Sequence, residues 1–280
     1  MTHYDMYISR RRLLGSLAAG SLQLLVHAGA AKAAEAQLTR AQKAEFLLKA
    51  KVVKTQSAPK GVTNTVRATL DDGSLTHQAS IQVIDEYKTR FETPMGTEMN
   101  FKDTWKFNLA AYKLDQLLGL NMIPVTVERR YKGASGSFTW WVDDILMDEV
   151  DRTKKKIEPP DTENWNNQMH CVRVFDQLIF NVDRNLQNLL IDKNWQIWMI
   201  DHSRAFRMLT SLRESKNLEK CDTALLERLK GLTAETLKKE LGGYLTAPEI
   251  KGVLTRRDRI VKTFEGMGPS VLYTSQRRPD

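Results

Sequence analysis

Asn181-Val182-Asp183-Arg184-Asn185-Leu186-Gln187-Asn188, followed after a short hairpin by Ile200-Asp201-His202, is the stretch on which the fold turns. An aspartate and an asparagine stand five apart in a loop, and a second aspartate comes thirteen further on at a strand end. A carboxylate can orient an attacking hydroxyl and accept its proton. An amide oxygen and a second carboxylate can ligate Mg²⁺, a hard cation that prefers oxygen. Asp183 is therefore the candidate base, and Asn188 and Asp201 are the candidate metal ligands. Aspartate and asparagine in turns also cap backbone groups, so the order of the surrounding elements matters. A helix precedes the first loop, and two short strands bring Asn188 and Asp201 to the mouth of one hairpin.

Working outward, apolar spacing predicts a helix over Trp165–Phe180 and strands over Leu189–Ile191 and Ile197–Ile200, around the turn Lys193-Asn194-Trp195. Helices follow over Thr223–Lys230, Ala234–Leu241 and Pro248–Glu265, the last opened by the capping-box pair Thr246 and Glu249. Asp148–Glu163 is charged, contains proline and lacks periodicity, so it reads as a segment crossing between two lobes. Upstream, Lys51–Thr55, Val62–Leu70 and Leu75–Asp85 read as antiparallel strands, with turns at 57–61 and at Asp71-Asp72-Gly73. Asp103 is expected to cap a helix over Thr104–Leu118 that ends at Gly119. Met122–Tyr131 and Ser137–Leu146 read as two more strands joined across 132–136. The expectation is an α+β fold of two lobes: an antiparallel, β-rich first lobe with one helix (34–147), and a mainly helical second lobe (148–280).

The motif residues resemble the phosphatidylinositol 3- and 4-kinase superfamily, especially type II phosphatidylinositol 4-kinases and related atypical kinases. Asn181 to Ile191 looks like that family's N-x-D-R-x-x-x-N-x-L-I, and Ile200-Asp201-His202-Ser203-Arg204-Ala205-Phe206 is similar to its I-D-x-x-x-A-F segment. Ala110–Asp115 through Ile123-Pro124 resembles its first-lobe helix and following strand, and Gly136-Ser137-Phe138 to Val142-Asp143 its hinge strand. The resemblance implies a two-lobed protein-kinase-like fold with ATP and Mg²⁺ (or Mn²⁺) held between the lobes. It also implies a nucleotide contact near Val142 and Asp143, and phosphate contacts in the first lobe. There the family's lysine position holds Gln82 and its helix glutamate position holds Asn108. Such a pair supplies no cation, so another group must offset phosphate charge during transfer. Lys60, in the turn with Gly61, and Lys88 are the candidates. The implied activity is phosphoryl transfer from ATP to a hydroxyl acceptor, on a protein or small molecule. The alternatives are an inactive nucleotide- or partner-binding module and a nucleotidyl transferase. His202 is expected to make local hydrogen bonds. Of the adjacent Trp140 and Trp141, at most one can face an adenine pocket, because neighbouring strand residues point opposite ways.

Residues 1–33 read as an export signal. Arg10, Arg11 and Arg12 precede an apolar stretch to Ala31 and the small-x-small patterns around Lys32 and Glu35, and the paired arginines resemble a twin-arginine signal. That points to a periplasmic or extracellular location. Of the formal net charge of +8, these residues hold Arg10, Arg11, Arg12 and Lys32 against Asp5, so the remainder keeps about +5. No dense basic stripe with interleaved aromatics accompanies it, so nucleic acid is not an expected partner. Nor does the mature chain hold an apolar run long enough for a transmembrane segment. Cys171 and Cys221 have no metal-site spacing.

Overall fold

A computed structural model describes residues 38–57, 65–93 and 96–275. The expected signal (1–33), Lys60 and Gly61 lie outside the described residues. A capping box opens the first helix, α1 (Arg40–Lys49): the Thr39 side chain accepts from Gln42 N while Gln42 reaches back to Thr39 N. Its Phe46 and Leu47 are buried against an antiparallel five-stranded sheet of β1 (Lys51–Ser57), β2 (Val66–Asp71), β3 (Thr76–Gln82), β6 (Thr126–Tyr131) and β7 (Ala134–Trp140). The strand order is β1-β2-β3-β7-β6. Register is set at the turns. Lys132 and Gly133, both at positive φ, join Tyr131 to its partner Ala134 in a two-residue loop whose twist suits paired strands. Asp72 accepts backbone hydrogens from Ser74 and Leu75 in the β2–β3 turn.

Four stretches depart from the sequence reading. The third strand stops at Gln82, and a separate hairpin follows, formed by β4 (Asp85–Thr93) and β5 (Gly96–Thr104). The helix α2 (Trp105–Leu118) is capped by Thr104, whose hydroxyl accepts from Lys106 N, and Asp103 instead lies within β5 with its side chain buried. The crossing segment holds the helix α3 (Glu149–Lys155), capped by Asp148 directly after the short strand β8 (Ile145–Asp148). The predicted strand through 137–146 breaks between β7 and β8, where Asp144 takes positive φ.

The remainder follows expectation. The long helix α4 (Thr162–Ile179) leads into the loop of Asp183, and β9 (Leu189–Asp192) pairs with both β8 and β10 (Ile197–Met199) in a small antiparallel sheet. Helices α5 (Thr223–Gly231), α6 (Ala234–Leu241) and α7 (Ala247–Met267) complete this part, with the Thr246–Glu249 capping box in place. Short strands β11 (Cys221–Asp222) and β12 (Leu272–Tyr273) pair in parallel.

Two apolar cores result. One lies between α1 and the five-stranded sheet, with Phe46, Leu70, Ile81, Phe138 and Trp140. The other holds Phe107, Leu114, Phe175, Leu178, Phe206, Val253 and Phe264. Each such side chain, fully removed from water, contributes about 1.5–3 kcal/mol. α2 sends Phe107 and Leu114 into the second core, while Tyr112 packs against both. It is thus the rod against which sheet and helices are registered. Gly119 ends it at φ 59°, a left-handed conformation that favours glycine, with the Arg228 guanidinium packed against it. Among the described residues no helix is long and apolar enough to cross a membrane.

Candidate functional site

Arg184 organises the loop after α4. Its guanidinium donates to both oxygens of Asp176 (2.9 and 3.0 Å), to the carbonyls of Asn188 (3.2 Å) and Ile200 (3.1 Å), and to His202 Nε2 (3.0 Å). Arginine alone offers donors in so wide a fork. Ile200 N donates to Asn188 O at 3.0 Å, so the residues bearing the expected metal ligands, Asn188 and Asp201, are held together by backbone. His202 is fully buried, and burial beside the Arg184 cation holds its imidazole pKa well below the ordinary value, which keeps Nε2 an acceptor. The local hydrogen-bonding role expected for His202 is what these contacts describe.

Asp183 lies half-buried at the loop's turn, its N–H donating to Asn181 Oδ1 at 3.0 Å. Burial raises its carboxyl pKa; the Arg204 cation opposes this shift and the Asp201 charge adds to it. Arg204 Nη1 stands 3.8 Å from Asp183 Oδ2. Asn188 directs its amide nitrogen at the Asp183 carbonyl, 3.5 Å away, which leaves its amide oxygen for another partner. Asp201 sits at φ 54°, sparsely used by residues other than glycine, and its Oδ1 is buried without a hydrogen-bond partner. Asp183, Asn188 and Asp201 therefore share one locality. Among the described residues no three His, Cys, Asp or Glu side chains gather as a ready-made metal cage. Two protein oxygen ligands plus phosphate oxygens is how Mg²⁺ is commonly held at nucleotide sites.

Gln82 and Asn108 face each other. Asn108 Nδ2 donates to Gln82 Oε1, Gln82 Nε2 donates to Thr65 Oγ1 (3.0 Å), and Asn108 Oδ1 accepts His202 N (2.8 Å). Both are buried. A neutral amide pair thus ties β3 and α2 to the segment after Asp201. Lys88 lies on β4, paired with Glu86 at 3.1 Å, its ammonium over the rings of Phe91 and Phe101. Asp143 is engaged elsewhere: its Oδ2 is 2.9 Å from His77 Nε2, and its charge acts on Lys43 of α1. Val142, beside it, is half-buried. Trp140 fills the first core, stacked on His77 at 3.6 Å, while Trp141 lies beneath Arg67.

Four residues near Asp183 were not assigned from the sequence. Glu98 of β5 pairs with Arg204 (3.3 Å) and with Arg207 (2.7 Å, an ion pair lacking hydrogen-bond alignment), and both guanidinium groups lie over Phe101. Asp103 is 6% exposed. Cations flanking Ala205-Phe206 were the available signal for Arg204 and Arg207; nothing local marked Glu98, because only the β4–β5 hairpin brings it there.

No protein-family model and no curated protein matches the sequence. Solved structures do resemble the fold. A hydra Fam20 structure with sugar superposes at TM-score 0.61 with 15% identity, over 83% of this chain and 91% of that one. A Golgi casein kinase gives 0.58 at 14% identity, over 86% and 79%. The Golgi casein kinase with Mn/ADP bound gives 0.59 at 13% identity, over 86% and 80%. The architecture is therefore a two-lobed protein-kinase-like α+β fold, with an antiparallel β-rich first lobe and a mainly helical second lobe.

Proposed function

We propose that the chain is an atypical kinase-like phosphotransferase that uses ATP with Mg²⁺ or Mn²⁺ to modify a hydroxyl acceptor, with its lobes dividing near 148. The observation that carries this reading is the Arg184 clamp, which holds the backbones of Asn188 and Asp201 together beside Asp183. The Mn/ADP bound to a Golgi casein kinase of the same fold is consistent with it. The donor set fits such an ion: an amide oxygen and a carboxylate with a buried, unpartnered oxygen are hard ligands. Bound ATP with its metal would supply the phosphoryl group and the leaving group. Asp201 and Asn188 would hold the ion. Asp183, its pKa raised by burial, would orient the acceptor hydroxyl and take its proton. Residue for residue, the motif supports kinship with the phosphatidylinositol 3- and 4-kinase superfamily. The twin-arginine-like N-terminus supports a place in the periplasm or outside the cell.

A second reading rests on the neutral Gln82–Asn108 pair, which brings no cation to the phosphates. It makes the chain a nucleotide- or partner-binding module, or a nucleotidyl transferase using the same metal residues. Thermal melting with Mg²⁺ or Mn²⁺ and ATP tests the site. Ligand at a hundred times its Kd adds about 2.7 kcal/mol, or roughly 5–10 °C for a chain of this size. That rise should vanish in Asp201→Ala and persist in Asp183→Ala; no rise in the wild type overturns the site. Following labelled γ- and α-phosphate into acceptors then separates phosphoryl transfer, nucleotidyl transfer and binding without turnover.

A further inference from the structure

Asp103 is the penultimate residue of β5, one before Thr104, whose N–H donates to Ser203 O at 2.9 Å. That bond sets Asp103 beside the segment following Asp201. Burial raises the Asp103 carboxyl pKa; the Ser203 hydroxyl and the Arg204 cation oppose the shift, and the Asp201 and Glu86 charges add to it. Asp103 Oδ1 is buried without a hydrogen-bond partner among the described residues, and so is Asp201 Oδ1. Two orphaned carboxylate oxygens therefore belong to groups whose charges repel each other. Arg204 offsets part of this repulsion but bonds neither oxygen: its terminal nitrogens are directed at Glu98 (3.3 Å) and Asp183 (3.8 Å), and its Nε has no hydrogen-bond partner among the described residues. One divalent cation ligated by both carboxylates would satisfy both oxygens and turn the repulsion into attraction.

We propose that Asp103 joins Asp201 as a ligand of a divalent cation, so that the metal centre draws one carboxylate from the β4–β5 hairpin and one from the loop after β10. The inference rests on Asp201 being a metal ligand, as proposed above, and adds a residue from an element the sequence motifs do not touch.

Mn²⁺ is the probe. Its free concentration is followed by electron paramagnetic resonance during titration of the wild type, Asp103→Asn and Asp201→Ala, and the melting temperature of each is taken in EDTA and in saturating Mn²⁺. Asp103→Asn should weaken Mn²⁺ binding at least tenfold. It should also melt above the wild type in EDTA, where a repelling charge has gone, and below it in Mn²⁺, where a ligand has gone. Asp103→Ser gives the same reading should the asparagine variant fail to fold. Unchanged Mn²⁺ affinity in Asp103→Asn, with binding lost in Asp201→Ala, overturns the role of Asp103 and leaves the metal site standing. Binding that survives Asp201→Ala overturns both. Equal destabilisation of Asp103→Asn in the two buffers makes Asp103 a structural carboxylate and also overturns the inference.

Discussion

Replacing Arg184 tests whether one guanidinium holds the candidate site in shape. Its side chain is 11% exposed and that of Asp176 is 13%, so the pair is largely out of water. Arg184→Ala leaves the Asp176 carboxylate with the Asn181 amide as its remaining side-chain donor, and strips a donor from the carbonyls of Asn188 and Ile200. Breaking a buried pair from one side costs about 3–5 kcal/mol, a large share of the roughly 5–15 kcal/mol that holds a domain folded. Arg184→Lys is the sharper variant, because it keeps the charge and loses the fork. An ammonium cannot bond both Asp176 oxygens, both carbonyls and His202 from one position, so a loss of about 1.5–3 kcal/mol is expected. Urea unfolding measures this, with an unchanged m-value showing that stability and not compactness has moved. A cycle with Asp176→Ala should give a coupling energy of about 1–3 kcal/mol. A lysine variant within about 0.5 kcal/mol of the wild type, together with additive single variants, would refute the idea that the fork geometry fixes the loop.

Two further outcomes follow from the same contacts. His202 is buried with a pKa well below its ordinary value. Below about pH 6.5 the unfolded chain therefore binds one more proton than the folded one at this position. The stability that neutral His202 contributes is complete above that pH and falls by about 1.4 kcal/mol per unit as pH drops towards the folded value; His202→Gln should flatten the slope by that amount in unfolding measured from pH 5 to 7, and equal slopes would refute the assignment. At the amide pair, Gln82→Lys alone buries an uncompensated ammonium and should cost about 1–3 kcal/mol. Adding Asn108→Glu should recover at least about 1 kcal/mol and raise phosphoryl transfer by about tenfold or more, whereas zero coupling in a denaturation cycle would show that the two positions do not pair in solution.

The elements around the motif were legible because their signals are local and strong. Thr246 with Glu249 announced α7, Gly119 ended α2, and the apolar runs of β9 and β10 are short strands buried on the second core. The β4–β5 hairpin was not legible. Its strands alternate charged and polar residues on both faces, and of its side chains facing the interior only Phe101 is a large buried apolar group, so no period-two apolar signal exists to read. α1 carries only Phe46 and Leu47 as buried residues, too few for a stripe, although Thr39 with Gln42 marked its start. Asp103 and Thr104 are adjacent, and either is a competent cap by composition. What separates them is tertiary: the Asp103 side chain is buried, and the Thr104 N–H is bonded to the carbonyl of Ser203, about a hundred positions away. At the candidate site, residue type and spacing singled out Asp183, Asn188 and Asp201, which lie in one locality, and Gln82 and Asn108, which bond each other, yet the surrounding cations could be found only once the hairpin was in place.

The hairpin also alters how the lobes can part. It belongs by sequence to the sheet-rich half, but Lys102 reaches Glu249 of α7 at 2.5 Å, where the glutamate is almost wholly enclosed, and Arg207 Nη1 grips the Lys102 carbonyl at 2.8 Å. The hairpin and α7 are therefore tied by an ion pair as well as joined through the chain. On the proposed reading, parting the two halves to admit or release a nucleotide would require undoing that tie, so the rate of exchange should track the strength of one lysine–glutamate bond more closely than the suppleness of the crossing segment.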